Sequence, residues 1–283
     1  MRFLDRVKDL PHLGLGVSTE YGAGDDPGAL DPRILERRGR ARFLEVGVET
    51  AKGLDRHARA WAAAGLPTTY HFLDVNLDEP ADFDEAWLDE VRAGIATLSP
   101  AWLCGDAGLW HFGPRDRGHM LLLPPVLSDR HASELAEGLV RLRDAVGREV
   151  LPENPPGHFF LGELGLLDFF ARLCERADTG LVLDCAHLAM YQRWAGRSAT
   201  DGLDDFPLDR IVELHVAGGR ANEHEGFGFV EDDHGGAVLD ETWAIVERVV
   251  AGAPNLKAIV IECERNPVEV VEPLFDKTAE LWS

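Results

Sequence analysis

The sequence lacks the long apolar run that a membrane-spanning helix needs. Such a helix takes about 20 consecutive apolar residues, and no stretch of the 283 residues approaches that length. Residues 1–10 alternate charged and apolar side chains, without the apolar segment that a secretion signal carries. We therefore expect no membrane association and a cytoplasmic location.

Cysteine and positive charge are both scarce. The four cysteines show no CxxC spacing, so we expect reduced thiols, and we expect Cys104, Cys185 and Cys263 to be buried as small hydrophobic residues. The chain has 28 Lys and Arg against 50 Asp and Glu, a formal charge of −22. A chain this acidic, without a basic cluster, repels nucleic acid, which we therefore do not expect as a partner.

The chain does contain a regular alternation of short apolar runs and amphipathic segments. The eight runs that we predict to be strands are 12–19, 41–48, 68–75, 102–106, 149–154, 180–187, 211–217 and 258–264. Nearly continuous apolar runs are typical of parallel strands covered on both faces. The clearest helical spacings are at 84–98, 133–146 and 239–250. This pattern predicts one α/β domain over residues 1–283, a (β/α)₈ TIM barrel. A doubly wound sheet is the alternative, but no GxGxxG turn follows the first run.

Residues of the types that can bind metals lie at the ends of these runs or just after them. They are His71, Glu153, Asp184, His187, His215, Asp232, His234 and Glu262. Barrel active sites lie at the face where the strands end, so we expect these residues to converge. Eight candidate ligands are too many for one ion, which binds about four to six. Because carboxylates can bridge ions, this number suits two or three metals close together. Nitrogen and oxygen ligands without thiolate favour iron, manganese or zinc.

Each of these residues also has an ordinary structural explanation when it is taken alone. A lone histidine such as His71 is more often a buried, hydrogen-bonded histidine than a metal ligand, whereas Asp184 and His187, at the end of an apolar run, are harder to explain in this way. Glu153 and Asn154 precede two prolines and suit a turn, while Asp232 and His234 suit a solvated acidic loop. The shared position of all eight residues at strand ends is the observation that favours a metal site.

Other polar residues receive less specific predictions. We expect Glu20, Glu45 and Glu49 to be either accessory acids beside the site or exposed. We expect residues 218–228 to form a flexible loop, because the segment is rich in glycine but lacks a phosphate-binding pattern. We expect four loop histidines to face solvent, namely His111, His119, His158 and His224.

The order of several short motifs resembles one known family. LLPP (122–125), LPEN (151–154), LVLDCAH (181–187), ELHVAGG (213–219), DDHGG (232–236) and VIECE (260–264) follow one another along the chain. This ordered set resembles the multinuclear non-heme iron-dependent oxidative enzymes, and the resemblance covers most of the chain, about residues 12–264. The resemblance implies a xylose-isomerase-like TIM barrel with two or three irons. It also implies O₂-dependent oxidation of cysteine in a ribosomally made precursor peptide, or of a small thiol, and often a partner protein that presents the peptide.

The resemblance also implies roles for the candidate ligands. Glu153 would bridge two irons, and we take it together with Asp184 and His187 as the candidate catalytic residues. One site would consist of Asp184, His215 and Glu262, and the next of His187, Asp232 and His234. A third would begin with His71 and Glu153.

The sequence departs from the family pattern at three places. The family has a second histidine on the fourth strand, where this chain reads Gly-Asp-Ala-Gly at 105–108 and places Ala107. The histidine near the end of the first strand is replaced around Glu20, and His187 stands where many members have Asn. We therefore expect two well-held metals and a weak or empty third site.

Two other classes of function remain open from the residues. The three-zinc apurinic endonucleases of this superfamily share the ligand order, although the charge of −22 disfavours nucleic acid. A zinc- or manganese-dependent hydrolase or a sugar isomerase is thus the enzymatic alternative. The second alternative is a non-catalytic binding protein that has lost a metal site. Only the missing fourth-strand histidine supports this alternative.

Overall fold

The computed structural model describes residues 1–19, 28–113 and 121–282, with the backbone alone at residue 227. Eight parallel strands close into a barrel in the order β1-β10-β7-β6-β5-β4-β3-β2, which confirms the predicted (β/α)₈ architecture. The barrel strands are β1 (Gly14–Thr19), β2 (Phe43–Val48), β3 (Thr68–Phe72), β4 (Leu103–Asp106), β5 (Val150–Glu153), β6 (Leu181–Asp184), β7 (Ile211–Ala217) and β10 (Ala258–Glu262). Two more strands, β8 (Gly219–His224) and β9 (Phe227–Asp232), pair with each other outside the barrel.

The first helix precedes the first strand, and the other helices follow strands and cover the barrel. The helices are α1 (Phe3–Arg6), α2 (Pro32–Arg37), α3 (Arg56–Ala63), α4 (Glu85–Leu98), α5 (Asp129–Val146), α6 (Leu166–Ala177), α7 (Cys185–Trp194), α8 (Asp240–Val250) and α9 (Val268–Leu281). Helix α5 begins four residues before the predicted start, because the Ser128 side chain accepts the His131 N–H and caps it. Within the described part of the chain, no helix combines the length and apolar character of a membrane span.

The sixth predicted strand is wrong in its last three residues. Cys185 and His187 belong to the first turn of α7, because the Asp184 carboxylate accepts the backbone N–H of His187 at 2.6 Å and caps that helix. The apolar run therefore ends as a strand at the aspartate, and His187 extends from a helix rather than from the barrel wall.

Alternation along the strands separates the barrel interior from the layer beneath the helices. On β4, Cys104 packs inside the barrel, whereas Leu103, and Ala107 directly after the strand, join the core between strands and helices. The amino end of the barrel is closed by an apolar plug to which the N-terminal segment contributes Phe3 and Val7. The strand residues of this plug are Phe43, Cys104, Leu151, Val182, Val212, Ala258 and Val260.

The segment predicted as a flexible loop is instead an antiparallel ribbon. Strands β8 and β9 pair from Gly219 opposite Asp232 to His224 opposite Phe227. The turn between them, Glu225-Gly226, has φ values of 51° and 81°, which a tight two-residue hairpin requires. The ribbon carries Asp232 back to the carboxyl end of the barrel.

Candidate metal centre

A cavity of about 510 Å³ opens at the carboxyl ends of the barrel strands. Six of the eight predicted ligands line it, namely His71, Glu153, His187, Asp232, His234 and Glu262. The other two, Asp184 and His215, are fully buried directly beside them, since Asp184 and Glu262 both bring a carboxylate oxygen close to the His215 ring. The structure therefore brings together all eight residues that the sequence singles out.

Glu153 occupies the centre of this group. Its Oε2 lies 2.7 Å from His71 Nε2, and its Oε1 lies 3.0 Å from His215 Nδ1 and 3.8 Å from His187 Nδ1. Burial opposes ionisation of this carboxylate, but the charge of the nearby His215 ring and the hydrogen bond from His71 hold the pKa of Glu153 below its ordinary value. Glu153 thus faces three histidines that belong to different predicted sites.

Asp184, His215 and Glu262 form one compact set. Each offers a ligand atom within 4.8 Å of the others, because Asp184 and His215 pair across β6 and β7 and β10 is the next strand. Burial raises the pKa of both Asp184 and Glu262 above the ordinary value. Without a cation, neighbouring acids in so dry a place resist ionisation.

A second set joins the ribbon to helix α7. Asp232 Oδ2 lies 3.1 Å from His187 Nε2 and 3.5 Å from His234 Nε2. His234 has a φ of 45°, in the left-handed region that few residues with a side chain adopt. The Asp184 cap fixes the start of α7 and so positions His187. The ribbon positions Asp232 between His187 and His234.

A third group lies on the other side of Glu153. His71, Asp106 and Glu153 place ligand atoms within 4.8 Å of one another, with Asp106 Oδ2 4.0 Å from His71 Nε2. Burial, followed by the charge of Glu153, raises the pKa of Asp106 to about 7. Burial disfavours the charged His71 ring, but Glu153 outweighs it and raises the pKa of His71 to about 9.

The carboxylate oxygens of the site test whether a metal fits it. Four buried oxygens have no hydrogen-bond partner among the described residues: Asp106 Oδ1, Asp184 Oδ2, Asp232 Oδ1 and Glu262 Oε2. Buried polar atoms are nearly always paired, and buried carboxylates without a counter-charge are costly. The donors are imidazole nitrogens and carboxylate oxygens, which suit iron, manganese or zinc. The residues present therefore fit metal ions.

Two acids that orient the histidines were not singled out as such by the sequence. Glu45 Oε1 lies 3.2 Å from His215 Nε2, and Glu264 Oε2 lies 2.9 Å from His234 Nδ1. Such partners fix which ring nitrogen faces a metal. Glu45, predicted as either accessory or exposed, is thus buried beside the site. Glu264 follows Glu262 by two residues, and that spacing is the signal that could have placed it on the same face.

The remaining polar predictions divide between confirmed and wrong. His158 and His224 are exposed, and the cysteines are buried. His111 was expected to face solvent, but it is buried with Nε2 2.7 Å from Asp82 Oδ2. Its ring is held inside because its partner Asp82 is fully buried, and Asn76 donates to the His111 carbonyl oxygen at 3.1 Å.

Glu49 does not take part in the described site. Glu49 is buried, but its Oε2 lies 3.5 Å from Lys52 Nζ and it does not line the cavity. Glu20 and His119 lie outside the described residues.

Several solved structures share this fold at low sequence identity. A xylose isomerase domain containing protein from Salmonella typhimurium LT2 aligns with a TM-score of 0.58 at 11% identity, over 96% of this chain and 97% of that one. Endonuclease IV from Thermus thermophilus aligns with a TM-score of 0.54 at 17% identity, over 95% and 99%. At these identities the likeness shows the fold alone, a xylose-isomerase-like TIM barrel.

Sequence relatives are closer. A UPF0276 protein from Rhizobium meliloti strain 1021 is 27% identical over 216 residues, 74% of this chain and 69% of the relative. One from Acinetobacter baylyi is 25% identical over 246 residues, 85% and 80%. Residues 28–279 match the family model described as RiPP precursor modification enzyme MbnB/TglH/ChrH, where RiPP denotes a ribosomally made, modified peptide. Because this match spans most of the chain, the chain belongs to the MbnB/TglH/ChrH family of RiPP precursor modification enzymes, the oxidative family that its motifs resemble.

Proposed function

We propose that this chain is a multinuclear non-heme iron enzyme that uses O₂ to modify a cysteine oxidatively. The substrate is a ribosomally made precursor peptide, presented by a partner protein, or a small thiol. The observation that carries the proposal is the buried cluster of histidines and carboxylates whose oxygens lack partners among the described residues. Family membership supports the peptide substrate.

The proposed ligand sets follow the geometry around Glu153. Asp184, His215 and Glu262 hold one ion, while His187, Asp232 and His234 hold the next. Glu153 lies between the two sets, since its Oε1 lies 3.0 Å from His215 Nδ1 and it places a ligand atom within 4.8 Å of ligand atoms of Asp184 and His187. Iron bound there supplies electron transfer to O₂ and a Lewis acid that lowers the pKa of a thiol.

The protein's own part is to hold these ligands and to shape the space above them. The cavity has apolar walls from Leu73, Trp110, Leu122 and Pro156. Its volume of about 510 Å³ is in the range of sites that enclose a small molecule or a few side chains. An extended peptide segment can therefore place one cysteine at the ligands while its flanking residues stay at the rim.

Three residues carry the proposed catalytic role. Glu153 fixes the spacing of the two ligand sets by its position among three histidines. Asp184 both contributes a carboxylate oxygen and caps α7, and that cap sets the direction of His187. The His187 ring is held from its other side, since Nδ1 lies 2.8 Å from the Asn154 carbonyl oxygen.

Oxygen consumption by the iron-loaded protein tests the proposal. Protein purified without oxygen and loaded with Fe²⁺ should consume O₂ with a cysteine-containing peptide and change the mass of that peptide. The matched control is the same peptide with serine in place of cysteine, which should give neither change.

The competing function is a zinc- or manganese-dependent hydrolase, endonuclease-like, or a sugar isomerase on the same barrel. A cleaved or isomerised product formed by the zinc or manganese protein, without O₂ consumption by the iron protein with any thiol, would replace the oxidase proposal by this one.

A further inference from the structure

The fourth barrel strand presents a carboxylate to the metal centre. Strand β4 is only four residues long, and its inward-facing residues are Cys104 and Asp106. Ala107, which stands where the resemblance implies a histidine ligand, packs in the apolar core on the other side of the strand. The residue that faces the third group of ligands is therefore Asp106.

The carboxylate is built into a defined position. Asp106 pairs with Glu153 across β4 and β5, and with His71 the two carboxylates bring ligand atoms within 4.8 Å of one another. All three residues are buried, Asp106 at 5% exposure. Asp106 Oδ1 has no hydrogen-bond partner among the described residues, so a buried, unpaired oxygen is directed into the group.

The surroundings of Asp106 hold its backbone in place. Trp110 Nε1 donates to the Asp106 carbonyl oxygen at 3.3 Å, and the Trp110 backbone N–H donates to Asn76 Oδ1 at 2.7 Å. Asn76 is itself fixed, because its backbone N–H donates to Asp82 Oδ2 at 2.8 Å. Supporting contacts of this kind are what keep a ligand in position before an ion binds.

We propose that His71, Asp106 and Glu153 form a third cation site with one imidazole and two carboxylates. This replaces the expectation, drawn from Ala107, that the third site is weak or empty. The proposed third site rests on the proposed function in one respect, since it shares Glu153 with the other two proposed sites.

The ligand set decides which ion the site takes. A carboxylate in place of a second imidazole adds a negative charge and a hard oxygen donor. Carboxylate ligands favour Mn²⁺ and Mg²⁺, whereas imidazole favours zinc and copper. Relative to a site with two imidazoles, we expect the third site to be shifted toward a hard divalent ion such as Mn²⁺ and away from Zn²⁺.

Counting Mn²⁺ on the whole metal-free chain tests the site directly. Equilibrium dialysis followed by elemental analysis should give three Mn²⁺ for the wild type and two for Asp106→Asn, with the affinity of the lost site reduced by at least about a hundredfold. Asp144→Asn, which removes an exposed acid on α5, is the matched control and should keep three.

A second variant tests the selectivity. Asp106→His should keep three sites but raise the preference of the weakest site for Zn²⁺ over Mn²⁺ by about tenfold. An unchanged preference would contradict the assigned ligand. Because the wild-type count is itself decisive, the test stands even where Asp106→Asn fails to fold: two Mn²⁺ on the wild type overturns the third site.

The outcomes separate this inference from the proposed function. Two ions on both the wild type and Asp106→Asn, at equal affinity, would overturn the third site and leave the two-metal centre standing. No bound ion on the wild type with Mn²⁺, Fe²⁺ or Zn²⁺ would overturn both.

Discussion

The two ends of the barrel carry opposite kinds of side chain on the same strands. On β5, Leu151 belongs to the apolar plug at the amino end, and Glu153, two residues later, lies among three histidines at the other end. On β2, Phe43 and Glu45 are divided in the same way. The comparison teaches that one end stabilises the fold, because it buries apolar surface, while the other end holds buried charge at a cost in stability.

Between the apolar end and the charged end lies one further buried acid, Glu213. Glu213 Oε2 accepts a hydrogen bond from Trp102 Nε1 at 2.6 Å. Burial, followed by the charge of Glu45, raises the pKa of Glu213 to about 8. Glu213 is therefore mostly protonated at neutral pH, so the charge that Glu45 brings near His215 is not doubled one layer below.

The largest effect on stability is expected at the plug. Phe3→Ala removes a ring that is 0% exposed, and such a truncation costs about 3–5 kcal/mol of unfolding free energy. Leu4→Ala, at the next position but 37% exposed, should cost less than about 1 kcal/mol. Denaturant unfolding measures both. Equal losses of unfolding free energy at the two positions would contradict the role of Phe3 in the plug. A changed number of bound metals in Phe3→Ala would show that the two ends of the barrel do not act separately.

Metal removal should act on the opposite end of the barrel. In the metal-free protein the buried acids of the site resist ionisation and leave oxygens without hydrogen-bond partners among the described residues, so bound ions that pair with them stabilise the folded state. At a hundredfold excess over Kd, one ion contributes about 2.7 kcal/mol, which corresponds to about 5 °C in Tm. A thermal scan before and after chelation measures this, and re-adding the metal should restore the loss. A Tm that chelation leaves unchanged would contradict a metal site.

Removing an orienting acid should lower metal affinity without loosening the fold. Glu45→Gln takes away the carboxylate that lies 3.2 Å from His215 Nε2, and the loss of such a partner costs about 10–100-fold in metal affinity. Glu49→Gln is the matched control, since Glu49 is also buried after β2 but its carboxylate lies beside Lys52. Isothermal titration of the metal-free proteins distinguishes them. Equal affinities for the two variants would show that Glu45 does not orient the ring.

A small, pH-dependent effect is expected at an ion pair outside the centre. His131 Nε2 lies 3.1 Å from Asp78 Oδ2. Burial opposes the charged ring, but the bond to Asp78 raises the pKa of His131 above 6.5, and the bond to His131 lowers the pKa of Asp78 below 3.8. The histidine contribution is present below pH 6.5 and is lost as pH rises, while the aspartate contribution is lost as pH falls below 3.8.

His131→Gln should therefore cost most between those two values. The expected loss is about 0.2–1 kcal/mol, because the pair is partly exposed, and it should shrink at about pH 8. Tm measured at about pH 5.5 and about pH 8 checks it. His224→Gln, at an exposed histidine on β8, is the control. A Tm difference equal at both pH values would rule out the ion pair as its cause.

The sequence predicted the barrel and its ligands because both depend on local patterns. Apolar runs and the acids or histidines that end them are visible without a structure. The direction of a side chain is not visible in this way. At the end of β4, either Asp106 or Ala107 could face the barrel interior until the register with β5 is known. The start of α7 was hidden inside an apolar run, since only the cap formed by Asp184 interrupts the strand.

Long-range contacts account for the other differences. Nothing near His111 in the chain indicates that Asp82, 29 residues earlier, would accept its hydrogen bond. The ribbon of β8 and β9 was mistaken for a loop because β8 is exposed along almost its whole length, so burial does not impose a strand pattern on it.

The central claim is that Glu153 joins the ligand sets of a multinuclear centre, and Glu153→Gln tests it most directly. The change keeps the shape of the side chain and removes one negative charge. Iron per chain and O₂ consumed with a cysteine-containing peptide should fall together, whereas His71→Ala, which affects only the third group, should cost at most one ion. Full iron content and full O₂ consumption by Glu153→Gln would contradict the account.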